Sequence, residues 1–278
     1  MKYKIVADSS CDLNEELEEK LDIDLIPFNI SVDDEEFIDD ENLNLSHLVK
    51  SMKASPNPIK TACPSPGDFL EKYRDGENTF VVTISANLSG TYNSAQLARD
   101  MAIDEDKDKF IHVFNSKSAS VGETLIALKI DELIKKQLNN MEIVEKVEKY
   151  INEMKTYFIS QDLSNLVKNG RISKVKGLLA SVLHFIPIMG ADDKGEIKLV
   201  ENIRGSKKSF NRLVEIIGET KDSFEDKILA ISHANALGKA QELKEKIESL
   251  YNFKDILIVE TKGLSTAYVN DGGIILAY

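Results

Sequence analysis

The sequence predicts an α/β protein built of two α/β domains, the first with a mainly parallel sheet. Short apolar, β-branched or aromatic runs alternate with longer stretches of helical periodicity. The early runs are followed by small polar residues, the pattern of buried parallel strands whose carboxyl ends carry functional turns. At 278 residues the chain also exceeds the comfortable size of one compact core.

The first run, YKIVA at 3–7, leads into Asp8-Ser9-Ser10-Cys11-Asp12-Leu13, where Ser10 or Asp12 is placed to cap a helix from Asn14 to Leu21. LIPFNI (25–30) reads as a second strand, TFVVTIS (79–85) as a third and FIHVF (110–114) as a fourth. Leu125, Leu128 and Leu133, with Ile126, Ile130 and Ile134, mark one helix, and Ile143, Val147, Ile151 and Met154 mark the next. Stripes at that spacing are core faces, not cofactor boxes.

Near residue 157 the character changes, and the domain boundary is placed there, dividing 1–157 from 158–278. The second part begins with a strand (YFIS), a short helix and a basic loop, followed by a helix apolar nearly all round over 178–189. Strands follow at 196–200 and 227–232, helices at 209–217 and 236–250, and closing strands at 255–260 and 273–277.

Composition excludes several classes. A net charge of −12 repels a phosphate backbone, so nucleic acid is not the partner. No run of 18 apolar residues provides a membrane span. MKYKIVADSS is already a strand and lacks the apolar stretch of a signal peptide, which places the protein in the cytoplasm without stable membrane insertion. The two cysteines, Cys11 and Cys63, read as free thiols, and no two of the four histidines have helical metal-ligand spacing. H-E-x-x-H, Walker A and G-x-S-x-G motifs are absent, so the common hydrolase and nucleotide signatures are missing and no metal site is read from the sequence. The acidic residues of 33–41 read as a solvated surface.

Chemistry is expected where hydroxyl-rich segments follow strands: Ser9-Ser10, Thr61 in TACPSPGDF, Ser89-Gly90-Thr91 in ISANLSGTYNSA, and Ser116 and Ser118 after FIHVF. In an open parallel sheet these loops converge at the carboxyl edge, where hydroxyls and free N–H groups suit a carboxylate or phosphate. As a nucleophile Ser89 would require a base, and the nearest histidine in sequence, His112, falls inside a strand. Binding is therefore preferred, with a Ser-based hydrolase or transferase, or a regulatory module for a small anionic metabolite, as alternatives. The apolar run over 178–189, which contains His184, is either buried core or the wall of an apolar cavity. An anion cradle beside an apolar wall describes a site for an amphiphile. The basic island Val167–Lys176 reads as a connection with Gly170 as a C-cap, and Arg171 as a bidentate anion contact.

IVADSSCDL, TACPSPGDF, ISANLSGTYNSA, FNSKSASVG and LVKNGRIS, in that order along the whole chain, resemble the DegV family, whose studied bacterial members are the FakB fatty acid-binding proteins. The resemblance implies two α/β domains with one long-chain fatty acid between them: carboxylate-binding loops in 1–157, an acyl-chain pocket in 158–278. It implies a carrier, not a catalyst, that presents the acyl carboxylate to a separate FakA-like kinase, with the fatty acid as ligand and no cofactor. Carried over, Thr61 and Ser89 contact the carboxylate, Gly90 and Thr91 supply nearby donors, and Arg171 engages the kinase. Tyr268 stands where the family has a histidine, and Asn270-Asp271-Gly272 replaces G-P-G, so the head group meets neutral donors at that position.

Overall fold

A computed structural model describes residues 3–172, 185–220 and 223–278. The fold is mixed α/β and is organised on three sheets. Strands β1 (Tyr3–Asp8), β2 (Ile23–Ile26), β6 (Asn78–Thr83) and β7 (Phe110–Asn115) form a parallel sheet in the order β2-β1-β6-β7. Strands β3 (Asn29–Val32), β4 (Glu35–Ile38) and β5 (Lys60–Ala62) form a small antiparallel sheet, ordered β4-β3-β5. The third sheet contains β8 (Thr156–Ile159), β9 (Phe185–Ala191), β10 (Ile197–Arg204), β11 (Ile228–His233), β12 (Asp255–Glu260) and β13 (Ile274–Ala277). Its order is β10-β9-β8-β13-β11-β12, and only β11 and β12 run parallel.

The helices follow from local sequence. They are α1 (Glu15–Leu21), α2 (Leu45–Ala54), α3 (Pro66–Tyr73), α4 (Thr91–Glu105), α5 (Val121–Lys135), α6 (Asn140–Glu153), α7 (Ser164–Lys168), α8 (Ser206–Gly218), α9 (Leu237–Leu250) and α10 (Gly263–Val269). Capping boxes start α3 (Ser65 with Asp68, and Pro66 at the first position) and α6 (Asn139 with Glu142). The stripe Ile143, Val147, Ile151 of α6 is buried. Helix α5 carries so many buried residues because it lies between two sheets. Its Leu125, Ile126 and Ile130 belong to one core with Ile5, Phe80 and Val82 of the parallel sheet and Phe158, Ala230 and Ile275 of the six-stranded sheet. That continuous core sets the carboxyl edge of the first sheet against the face of the third.

Three sequence expectations change. The cap of α1 is Asn14, whose side chain accepts from the Leu17 N–H; neither Ser10 nor Asp12 serves, because both side chains are committed elsewhere. LIPFNI is not one strand. Pro27 cannot donate to a ladder, so β2 stops at Ile26 and the chain enters a different sheet at Asn29. Within 178–189, residues Phe185–Met189 belong to strand β9, not to a helix. A short run apolar on every side carries no period to tell the two apart. Pro187 is tolerated because β8 pairs only with Ile188–Gly190, beyond it. Residues 173–184, with His184, lie outside the described residues.

Candidate functional site

A cavity of about 840 Å³, counting its open mouth, lies where the carboxyl edge of the parallel sheet faces β8, β9 and β13. Its wall is apolar: Phe28, Ile84, Leu88, Phe158, Ile197 and Ile275 contribute from five loops and strands of both halves. An apolar wall with a few polar groups is the character of a site for a small organic ligand.

Hydroxyls from three separate segments come together where Cys63, Leu88 and Tyr268 pack around one small apolar cluster. Thr61 sits mid-strand in β5, opposite Ile30 of β3. Tyr268 reaches it from α10, and the two side-chain oxygens lie 2.9 Å apart. Ser89 comes from the turn between β6 and α4, which is closed by the Leu88 and Ser89 N–H groups on the Ser85 carbonyl. The Ser89 Oγ lies 2.8 Å from the Thr91 Oγ1 and accepts from the Thr91 N–H. Thr61, Ser89, Tyr268 and Arg171 line the cavity; Gly90 and Thr91 do not. Thr91 is fully buried behind Ser89 and holds it, while Gly90 is the exposed N-cap of α4. Each hydroxyl pair uses one O–H internally and keeps the other; with Thr91 donating to Ser89, the two pairs turn two neutral donors to the cavity. That number matches the two oxygens of a carboxylate.

Arg171 follows the αL residue Gly170 (φ +76°) that ends α7, and this turn swings its side chain to the Ser89 loop. Its Nε donates to the Leu88 carbonyl at 3.3 Å and its Nη1 to the Asn169 carbonyl. Asn169 in turn donates to the Ile59 carbonyl. The guanidinium therefore stands beside the hydroxyls. The carboxylate of Asp271 does not act as a stray negative charge: it is salt-bridged to Lys53 and accepts from Asn235, and both interactions hold its pKa below the usual range.

The hydrolase reading finds no support in this geometry. Among the described residues the Ser89 side chain hydrogen-bonds only with Thr91. His112 lies in β7 with Glu148 as its nearest carboxylate, at 3.7 Å.

Sequence reasoning missed a buried carboxyl network under the site. Asp8, Asp12 and Glu123 are fully buried and Asp39 nearly so. Asp8 accepts from the N–H groups of Ser10 and Ile84. Asp12 accepts from the Lys262 N–H and pairs with the Ser120 hydroxyl, which meets that of Ser232 at 2.7 Å. Asp39 accepts from Ser9, Gly263 and Leu264. Burial raises the pKa of all four, that of Asp12 to about 7. Ser10 and Ser265 connect this network to the cavity wall. The signal in the sequence was DSSCD directly after an apolar strand, which reads equally as helix caps, and the acidic run at 33–41, where only the structure separates Asp39 from its solvated neighbours.

A mixed α/β fold enclosing an apolar cavity with hydroxyls on its wall defines a class of small-molecule binding protein. The DegV family model, described as an uncharacterised protein family, matches residues 2–278, and the chain belongs to that family. A DegV domain-containing protein of Streptococcus pneumoniae (strain ATCC BAA-255 / R6) is 34% identical over 280 residues, covering 100% of this chain and 99% of its own. A solved DegV family protein from Ruminococcus gnavus, refined with vaccenic acid, is 40% identical with a TM-score of 0.96 over 99% of both chains. The Streptococcus pneumoniae Fatty Acid Kinase B3 protein, loaded with linoleic acid, is 32% identical with a TM-score of 0.90 over 100% of this chain and 99% of its own.

Proposed function

We propose that this protein is a non-enzymatic carrier that binds one long-chain fatty acid, with its chain in the apolar cavity and its carboxylate at Thr61, Ser89 and Tyr268. The observation that carries the reading is the cavity itself: an apolar wall with hydroxyls brought together from three separate segments. The fatty acids bound by the two solved relatives support it. Burying hydrocarbon contributes about 0.8 kcal/mol per methylene, so the chain supplies most of the affinity. Hydrogen bonds to the charged head group add roughly 1.5–3 kcal/mol each before desolvation.

In this reading Ser89 and the Thr61–Tyr268 pair each donate to a carboxylate oxygen, Thr91 holds Ser89, and Gly90 opens the helix start. The carrier then presents the carboxylate to a partner kinase of the FakA type in the cytoplasm. Arg171 stands beside the same hydroxyls and is the residue we assign to the partner contact. We propose the division into 1–157 and 158–278 as the two faces that close on the ligand.

The experiment is extraction of the purified protein with organic solvent followed by mass spectrometry. Release of a long-chain fatty acid supports the carrier. A polar metabolite in its place favours the regulatory-module reading.

A further inference from the structure

The buried carboxyl network has a direction. Helix α10 carries Tyr268 near its end, and the backbone N–H groups of its N-cap Lys262 and first two residues, Gly263 and Leu264, all terminate on two carboxyl groups. Lys262 donates to Asp12 at 2.6 Å, Gly263 to Asp39 at 2.7 Å and Leu264 to Asp39 at 2.9 Å. Ser265, one turn before Tyr268, also bonds to Asp12. Both acids come from the amino-terminal half: Asp12 from the β1–α1 loop, Asp39 from the residue after β4, whose own N–H is tied to the Phe28 carbonyl. The approach is close enough that a Cβ on Gly263 would lie 2.6 Å from the Asp39 Oδ1 and 2.5 Å from Leu43. Thr61 comes from β5 of the same small sheet that ends in Asp39. Two polar contacts, the Asp39 clamp and the Thr61–Tyr268 bond, join the small sheet to α10 beside the apolar packing of Ile30, Val32 and Phe37 with Ala267.

We propose that Asp12 and Asp39 are positioning residues for the head-group end of the cavity: by gripping the start of α10 they set the reach of Tyr268 to Thr61 and so the discrimination in favour of an acyl carboxylate. The inference rests on the fatty-acid reading above. Neither acid lines the cavity, whereas Ser265 and Leu264, to which they bond, do. The charged and titratable groups facing them are Asp8 and Cys11 on the β1–α1 segment, Glu123 on α5, and Lys262, whose ammonium is paired with Glu18 at 2.6 Å. Carboxyl oxygens that accept from the N–H groups of a helix start hold it as capping side chains do, whichever protonation state burial imposes on them.

The test compares oleic acid with oleyl alcohol, which has the same chain and no carboxylate, on delipidated wild type, Asp39→Asn, Tyr268→Phe and the double variant. A ring-carbon NMR signal of Tyr268 is followed in the ligand-free proteins. The expected result is that Asp39→Asn weakens oleic acid about tenfold, or about 1.4 kcal/mol, and leaves oleyl alcohol within about twofold. It should also shift the Tyr268 signal and have no further effect in the Tyr268→Phe background. Equal loss for both ligands, or the same loss in the Tyr268→Phe background, overturns the proposal, as does an unmoved Tyr268 signal. If wild type binds neither ligand, the fatty-acid reading fails on its own, and the Tyr268 signal still decides whether Asp39 sets the position of α10.

Discussion

Tyr268 and Thr61, 207 positions apart, meet at 2.9 Å through their hydroxyl oxygens. The pair joins the closing segment of the chain to the small antiparallel sheet, and in the proposed reading it is a neutral donor to the head group.

Replacing Tyr268 tests this donor. Tyr268→Phe is expected to weaken fatty acid binding at least about tenfold, since one hydrogen bond to a charged group, worth roughly 1.5–3 kcal/mol, is lost without a large change in shape. Tyr268→His should bind oleate more tightly at pH 6 than at pH 8, because only the protonated imidazole adds charge. Titration calorimetry at both pH values reads the difference; wild type should show little of it from this position.

Arg171 is predicted to separate binding from presentation. Arg171→Ala should leave the extracted fatty acid in place while lowering acyl phosphate formation by a FakA-type kinase at least tenfold. An equal fall in lipid content would instead assign the guanidinium to holding the Ser89 turn through the Leu88 carbonyl.

Stability should decline as the solution becomes less acidic. Burial keeps Asp12 protonated to about pH 7 and pushes Asp8, Asp39 and Glu123 upward as well. Unfolded carboxyls release their protons near pH ~4. Between these values the folded chain binds more protons than the unfolded one, so the stabilisation is complete below about pH 4 and is lost as pH rises through about 7. His233, whose pKa is lowered by burial, opposes this only near and below its unfolded value of 6.5. The thermal midpoint is expected to fall by several degrees between pH 5 and pH 8, and Asp12→Asn to flatten the dependence.

Gly195 closes the turn between β9 and β10 with φ +78°, and a Cβ there would meet the Ser85 Oγ at 2.4 Å and the Lys117 Cα at 2.6 Å. Its carbonyl accepts from Ser85 at 2.8 Å, and the residue lines the cavity. Gly195→Ala should cost roughly 2–3 kcal/mol from overpacking and the strained φ, read by denaturant unfolding. An unchanged midpoint would mean the hairpin does not dock on the Ser85 loop.

The alternation of TFVVTIS, FIHVF and the α5 and α6 stripes made the parallel sheet and its helices legible, because each element is long enough to express its own period. The small sheet was not, since β3, β4 and β5 are three or four residues each and Pro27 hides the break between sheets. At the site, Thr61, Ser89 and Tyr268 were named from motif positions. That Tyr268 touches Thr61, and that Thr91 stands behind Ser89, depends on packing between distant segments. Asp39 was read as solvated because a run of acids has no feature that marks the one turned inward.

The most direct test is mass spectrometry of lipid extracted from the natively purified full chain, with reloading by oleic acid after delipidation. The expected result is one long-chain fatty acid per chain, restored on reloading and reduced by Ser89→Ala combined with Tyr268→Phe. An extract free of fatty acid, together with no uptake of oleic acid by the folded protein, would contradict a fatty acid in the cavity.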